Sequence, residues 1–478
     1  MFRPLFPFLA GATLLSGCTV GPDYEAPEMR VSDAWIEQAD SERANDAAVQ
    51  PAWWDRFGDP QLSALITRAM ADAPTLAEAR ARLAEARANR DAVLGQRLPQ
   101  VSASGSATEN RISENGFLPI GQFPGFDPEY GLFDLGFDAS WEIDLWGRRT
   151  REGEAANARA GAAEAAYQDA LVQLTGEIAR SYMDLRAAQR ASALAAQREE
   201  ASAGLAALTG QLYLAGEASR IDAEAASAEA ASAADAAAQA RTAEAGAAYR
   251  LAALMGLPPE NIVPELRAPA PIPDAPQDIL VGLRSDLLRR RPDVRQAERE
   301  LAAATAQIGV ATADLFPRFS LTGGLGTQAQ NAGDLFDPAS TRFAIGPSFS
   351  WPVFAGGQIR ARIRAADAGA DAAAAAYSQS VANALSDSEG AINRFLEARK
   401  REDAAARAAA AQQQAFDLAA QRFAGGEDDR LTLEAARLDH LARQQAHATA
   451  RLEAANAAVA VYKALGGAWM AEGADPAP

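Results

Sequence analysis

A short alternating stretch that runs directly into a very long proline-free one occurs twice in this chain, and few folds accommodate both. Phe133, Leu135, Phe137, Ala139 and Trp141 alternate with Asp134, Gly136, Asp138, Ser140 and Glu142, the period of a strand with one apolar and one polar face. After Gly147 the composition turns to Ala, Glu and Arg, with no proline before Pro258, so the strand feeds a long helical region. Phe343, Ile345, Phe349, Trp351 and Val353 repeat the alternation, and Gly357 opens a second region that is proline-free as far as Pro476. Trp141 maps onto Trp351 and Gly147 onto Gly357 at an offset of 210. The same offset carries Gln211–Glu217 onto Gln421–Glu427 and Leu254–Gly256 onto Ala464–Gly466. The chain therefore reads as a tandem duplication. Upstream of the strands the offset is 218 (Pro74 to Pro292, Pro99 to Pro317), so the first copy has eight extra residues between Pro99 and Trp141. Insertions collect in exposed loops, which predicts a loop there.

Length alone, 478 residues, suggests about three domains, but the duplication makes two interleaved halves of one fold. The net charge of −18 argues against nucleic acid or an anionic membrane surface as partner. Arg3, the apolar run from Leu5 to Leu15 and Leu15-Ser16-Gly17-Cys18 have the layout of a secretory signal. The run is too short to span a bilayer, which takes about 20 apolar residues. Its end resembles a bacterial lipobox, which implies removal of residues 1–17 and acylation of Cys18. Cys18 is the only cysteine, so no intramolecular disulfide forms.

Residues 18–74 read as a Pro-rich N-terminal segment anchored by Trp53-Trp54, with a short helix beginning after Asp59-Pro60. A helix over 75–97 leads to a β-hairpin within 99–146. The long helical hairpin that follows turns near 213–218 and ends at 256. A Pro-rich linker, 257–291, joins this first repeat to the second, 292–466, which has its hairpin within 317–356 and its tip near 423–429. A tail, 467–478, closes the chain. Four strands of about 10 residues suit a tilted transmembrane β-span. Trp141, Trp146, Trp351 and Phe354, with Phe316 and Phe319, gather at the strand ends as an interfacial aromatic girdle does. Four strands cannot close a barrel, and open edges are not tolerated in lipid. Oligomerisation must close it, with two, three or four copies giving eight, twelve or sixteen strands.

The helices add lengths. Residues 148–212 span about 98 Å, and 219–255 about 56 Å, so the return covers only part of the descent. The entering helix supplies about 35 Å more. Irregular segments therefore form a girdle partway along a helical tube. Leu171, Leu174, Ile178, Tyr182 and Leu185 follow the three-and-four spacing of a coiled-coil seam.

Arg289-Arg-Arg-Pro-Asp-Val-Arg-Gln-Ala-Glu298, the lipobox-like start and Tyr462-Lys-Ala-Leu-Gly-Gly-Ala-Trp469 resemble the lipoprotein branch of the TolC-like outer-membrane efflux factors. The resemblance covers essentially Cys18 to Trp469. It implies a mainly α fold with a membrane β-barrel, made as a homotrimer with twelve strands and an α-helical barrel crossing the periplasm. It also implies outer-membrane lipid, a periplasmic adaptor and an inner-membrane pump of the resistance-nodulation-division class as partners. The tips, with Tyr213, Gly216, Phe423, Gly425 and Gly426, are then expected to meet the adaptor. The family places its periplasmic gate just after the second tip, where Phe423, Gly426 and Leu431 match. The acid expected one turn beyond Leu431 is replaced by Ala435, with Glu434 adjacent. On the first tip Asp222 matches an acidic position, with Glu224 beside it. The run Glu427, Asp428, Asp429, Arg430 offers a substitute latch, in which Arg430 pairs with an acid on a neighbouring hairpin.

Nothing in the sequence forms a catalytic set, and neither cofactor nor metal is expected. His440 and His447 lie on one helix without cysteines and are expected to be exposed. Gly323-Gly324-Leu325-Gly326 lies within a strand with no helix after it, unlike a phosphate loop. Glu142 and Asp144, beside a barrel rim, are expected to be solvated rather than an acid pair. Two other classes remain open: a structural lipoprotein tether without a lumen, and a lipoprotein hydrolase, for which the histidines lack a Ser-His-acid context.

Overall fold

The computed structural model describes residues 19–27, 31–32, 35–36, 52–113, 127–279 and 284–467. Cys18 with the signal segment, Trp469 with the rest of the tail, and the larger part of the predicted insertion loop lie outside the described residues. The chain forms two compact units, one of residues 1–27, 84–163 and 297–377, the other of residues 28–83, 164–296 and 378–478.

In chain order the elements are α1 (Pro60–Asp72), α2 (Pro74–Gly95), β1 (Gln100–Arg111), β2 (Glu129–Ile143), α3 (Arg148–Leu214) and α4 (Arg220–Leu254). Then come α5 (Val263–Leu266), α6 (Arg284–Arg290), α7 (Pro292–Ala313), β3 (Arg318–Ala329), β4 (Thr341–Ser350), α8 (Gln358–Ala424) and α9 (Arg430–Ala464). α3 and α8 each contain 67 residues, about 100 Å of helix, while α4 and α9 each contain 35. No described helix is long and apolar enough to cross a membrane.

The first unit is built on an antiparallel sheet in the order β1-β2-β3-β4. Its register puts Val101, Ala139, Gly323 and Ile345 in one row, and Ala103, Phe137, Leu325 and Phe343 in the next. One face is therefore continuously apolar, and on it Phe137, Leu325, Phe343, Ile345 and Phe349 are all more than half exposed. The opposite face carries Ser102, Ser104, Asp134, Asp138, Thr322 and Arg342. Beside the sheet, residues 19–24 strap the helix starts. Val20 N–H donates to Trp146 O (3.1 Å), and the buried Arg151 reaches Val20 O, Gly21 O and Asp23.

The second unit holds the main core. Leu174, Ile178, Tyr182 and Leu185 of the predicted seam are buried in it, with Leu171 packed at its margin. Leu62, Leu65 and Ile66 of α1, Leu251 of α4, Phe395 of α8 and Val461 of α9 complete it. Trp53 is 1% exposed and stacks on Tyr462 at 5.0 Å. Alanine fills much of the rest, which lets long helices approach closely. Pro292 opens α7 at a position where its missing N–H costs nothing. The preceding Arg291 lies over the end of α9, where its guanidinium holds Asp293 (2.7 Å) and donates to Ala464 O (3.2 Å).

Two expectations need correction. His440 is 7% exposed and stacks on Phe416 (5.4 Å, 10°); burying the imidazole against an aromatic ring outweighs its hydration. Glu142 and Asp144 are not left to solvent. Glu142 pairs with Arg149 at 2.7 Å, and Asp144 accepts from the N–H groups of Arg149 and Thr150. Those N–H groups begin α3 and have no partner within the helix, so an acid is favoured there.

Candidate functional site

Two features of the described residues are arranged for function: the polar face of the sheet and the turns that reverse the long hairpins. The polar face depends on glycine. In the row Ser104, Gly136, Gly326, Arg342, a Cβ added at Gly326 would sit 2.5 Å from Leu135 O and 2.8 Å from Gly136 Cα. The backbones of β2 and β3 thus approach more closely than any side chain permits. Across this bare lane Arg342 reaches from β4 to Asp134 on β2, donating through Nε (2.9 Å) and Nη2 (2.6 Å). Asp134 also accepts from Gln328 (3.0 Å), and Asp138 accepts from Ser104 (3.1 Å). The face thus carries two hydrogen-bonded groups, Asp134 with Arg342 and Gln328, and Asp138 with Ser104.

At the helix side of the strands Trp141 Nε1–H donates to Arg97 O (2.9 Å) and Trp351 Nε1–H to Leu315 O (3.0 Å). The two tryptophans are 210 residues apart and their acceptors 218. Trp146 stacks on Phe316 and donates to Pro317 O. Each of these indoles keeps its polar edge satisfied, as an interface requires. Phe354 is 91% exposed.

The tips are the same turn used twice. Glu217 N–H bonds Leu212 O and Gly216 N–H bonds Tyr213 O; Glu427 N–H bonds Arg422 O and Gly426 N–H bonds Phe423 O. This is the Schellman closure, with Gly216 (φ 81°) and Gly426 (φ 76°) in the left-handed position that it requires. Both return helices begin on a side-chain cap. Ser219 and Asp222 form a capping box for α4, and Asp429 accepts from Thr432 N–H (2.8 Å) to cap α9. That backbone donor, chiefly, holds the Asp429 carboxyl below its ordinary range. The exposed apolar side chains at the first tip are Tyr213, Leu214 and Ile221, and Phe423 is partly exposed at the second.

The predicted gate residues are thus near the tips, but within one chain their partners are local. Arg422 Nε and Nη2 grip Asp428 (2.7 and 2.9 Å), which holds the guanidinium above its usual range. Arg430 lies 3.9 Å from Glu434 on its own helix, and Glu224 lies 3.5 Å from Arg220. Glu434 is 8% exposed, and Leu431 is half-buried. Gly425 stands one residue before the left-handed Gly426. Arg342 and Arg422 are the functional candidates that the sequence did not single out. Only the bareness of Gly136 and Gly326 hinted at the first. The i to i+6 spacing of Arg422 and Asp428 across a glycine turn was the available signal for the second.

The family model for "Outer membrane efflux protein" matches residues 65–257 and 283–467. Outer membrane protein OprJ of Pseudomonas aeruginosa is 30% identical over 460 residues, 96% of this chain and 94% of that protein. The antibiotic efflux pump outer membrane protein ArpC of Pseudomonas putida is 30% identical over 478 residues, 98% of this chain and 96% of that protein. The solved structure of the outer-membrane channel OprN is similar with a TM-score of 0.82 and 38% identity, over 94% of this chain and 99% of that one. The chain belongs to the outer membrane efflux protein family.

Proposed function

We propose that the chain is the outer-membrane exit duct of a tripartite efflux system. It conducts small molecules passively while an inner-membrane pump supplies the energy. The observation that carries this reading is the sheet: four strands, one face apolar and exposed, the other polar and bridged, with β1 and β4 as free edges. Such a sheet is stable in lipid only when copies join edge to edge around a wet lumen. Three copies, the solution that the family resemblance implies, give twelve strands, with Asp134, Asp138 and Arg342 lining the lumen. A structural tether leaves this sheet without a use. Acylated Cys18 anchors the mature chain in the outer membrane, and the tips, with their exposed Leu214 and Ile221, meet a periplasmic adaptor coupled to a pump of the resistance-nodulation-division class. Native mass measurement of the mature protein in detergent should give three chains, each starting at a lipid-bearing Cys18. A stable monomer, or a mature chain starting at another residue, contradicts the respective assignment.

The gate is proposed at the same tips. Arg430, exposed and 3.9 Å from Glu434 of its own helix, pairs in this reading with an acid such as Asp222 of a neighbouring hairpin. Because Asp222 also closes the capping box, the informative variant is Asp222→Gln, which keeps that bond and removes the charge. Together with Arg430→Ala it should raise single-channel conductance well above the parent. Unchanged conductance in an intact trimer rules this latch out.

A further inference from the structure

In the second unit α9 lies between α3 and α8. Asn456 Nδ2–H donates to Asp184 of α3 (3.1 Å), Lys463 reaches Glu177 of α3 (3.3 Å), and Glu453 pairs with Arg401 of α8 (2.6 Å). The three helices enclose a groove of about 600 Å³. Leu452, Ala457 and Ala460 of α9 give it an apolar floor; each is half-buried, packed against the main core yet lining the groove.

The charges around this floor do not cancel. Four cations line the groove, Arg180, Arg394, Arg401 and Lys463, against three acids, Glu177, Glu397 and Glu453. Each acid already has a cation: Glu177 has Lys463, Glu453 has Arg401, and Glu397 is held by Lys400 (2.7 Å) from outside the lining. Arg180 on α3 and Arg394 on α8 are left over, on opposite walls. Both are exposed, so a ligand entering the groove can reach them. Among the described residues neither makes a hydrogen bond or an ion pair. Acids are not scarce in this chain, where Asp and Glu outnumber Lys and Arg by 63 to 45.

We propose that this groove binds an organic dianion with an apolar body. The body lies on Leu452, Ala457 and Ala460, one acidic group accepts from Arg180, and the other accepts from Arg394. A guanidinium presents a planar fork of donors that matches a carboxylate at two points. An apolar floor with a few placed polar groups is the make-up of a small-molecule site. An inorganic anion would leave the floor unused, and an organic cation would meet two guanidiniums that nothing neutralises. The assignment rests on the groove alone and does not depend on whether the chain conducts.

The test is calorimetric titration of the purified oligomer in lipid nanodiscs with naphthalene-2,6-dicarboxylate, with empty nanodiscs subtracted. Saturable binding at one molecule per chain is expected, and 2,6-bis(hydroxymethyl)naphthalene, the same body without charge, should bind at least about tenfold more weakly. Arg180→Gln and Arg394→Gln, at exposed positions whose change does not threaten folding, should each weaken binding about tenfold. Arg250→Gln, at an exposed arginine of α4 outside the groove, removes the same charge and should bind as the parent. Absence of saturable binding, equal binding of the diol, undiminished binding by either groove variant, or an equal loss in Arg250→Gln overturns the proposal. Binding to chains separated in detergent but not to the oligomer assigns the groove to a second copy and overturns it too.

Discussion

Replacing Arg291 with alanine is expected to cost the second unit about 3 kcal/mol. The side chain is 11% exposed, and its guanidinium holds Asp293 in a two-pronged pair, lies 3.5 Å from Asp387 and donates to the carbonyls of Ala384 (3.4 Å) and Ala464 (3.2 Å). Ala464 O is one of the carbonyls that the end of α9 cannot satisfy within its own helix. Ser388 Oγ–H, itself fully buried, donates to the same oxygen. One planar group thus ties the start of α7 to α8 and to the end of α9. Truncation leaves the half-buried carboxylate of Asp293 without its two-pronged donor, and removing one partner of such a pair is much costlier than never having built it. Arg291→Lys keeps the charge but not the fork, so it should fall between alanine and parent. The thermal midpoint followed by circular dichroism should drop by several degrees for alanine. A change within error would mean that the clamp is ornamental.

Gly326→Ala is expected to abolish correct assembly of the sheet, while Gly346→Ala is expected to behave as the parent. Both glycines lie on the polar face of neighbouring strands, and neither has a positive φ. They differ in space alone. A Cβ at Gly326 meets the β2 backbone at 2.5 Å, where no flexible side chain can move aside; at Gly346 nothing lies within 4 Å. Overpacking of this kind costs about 1–3 kcal/mol even in a forgiving core. Here relief requires opening the β2–β3 ladder, and any symmetric assembly repeats the cost in every copy. The yield of folded, sodium-dodecyl-sulfate-resistant oligomer should fall about tenfold or more for Gly326→Ala. Similar yields from the two variants would show that the strands tolerate a wider spacing than the structure has.

Much of the architecture is legible in the sequence because it is periodic. The alternation around Trp141 and Trp351 marks the strands within a few residues of their observed ends. Gly216 and Gly426 mark the hairpin turns, since only glycine takes the left-handed position without strain. What the sequence hides is contact between distant positions. Asp134 and Arg342 are 208 residues apart, and nothing local announces that glycines clear the path between them. Burial of His440 comes from Phe416 on a different helix. Asp144 looks like a rim charge until the first N–H groups of α3 are seen to need an acceptor. At the tips the sequence supplies the acids but not their first obligations, which are capping α4 and α9 and pairing with Arg422 inside the turn.

The central claim is that the two-faced sheet encloses a conducting lumen. Its most direct test is single-channel recording from the purified protein in a planar lipid bilayer. The account predicts discrete, long-lived current steps from an oligomer, and a changed ion preference when Asp138→Asn and Arg342→Gln alter the lumen face. A folded, membrane-inserted oligomer that passes no current at any applied voltage contradicts it.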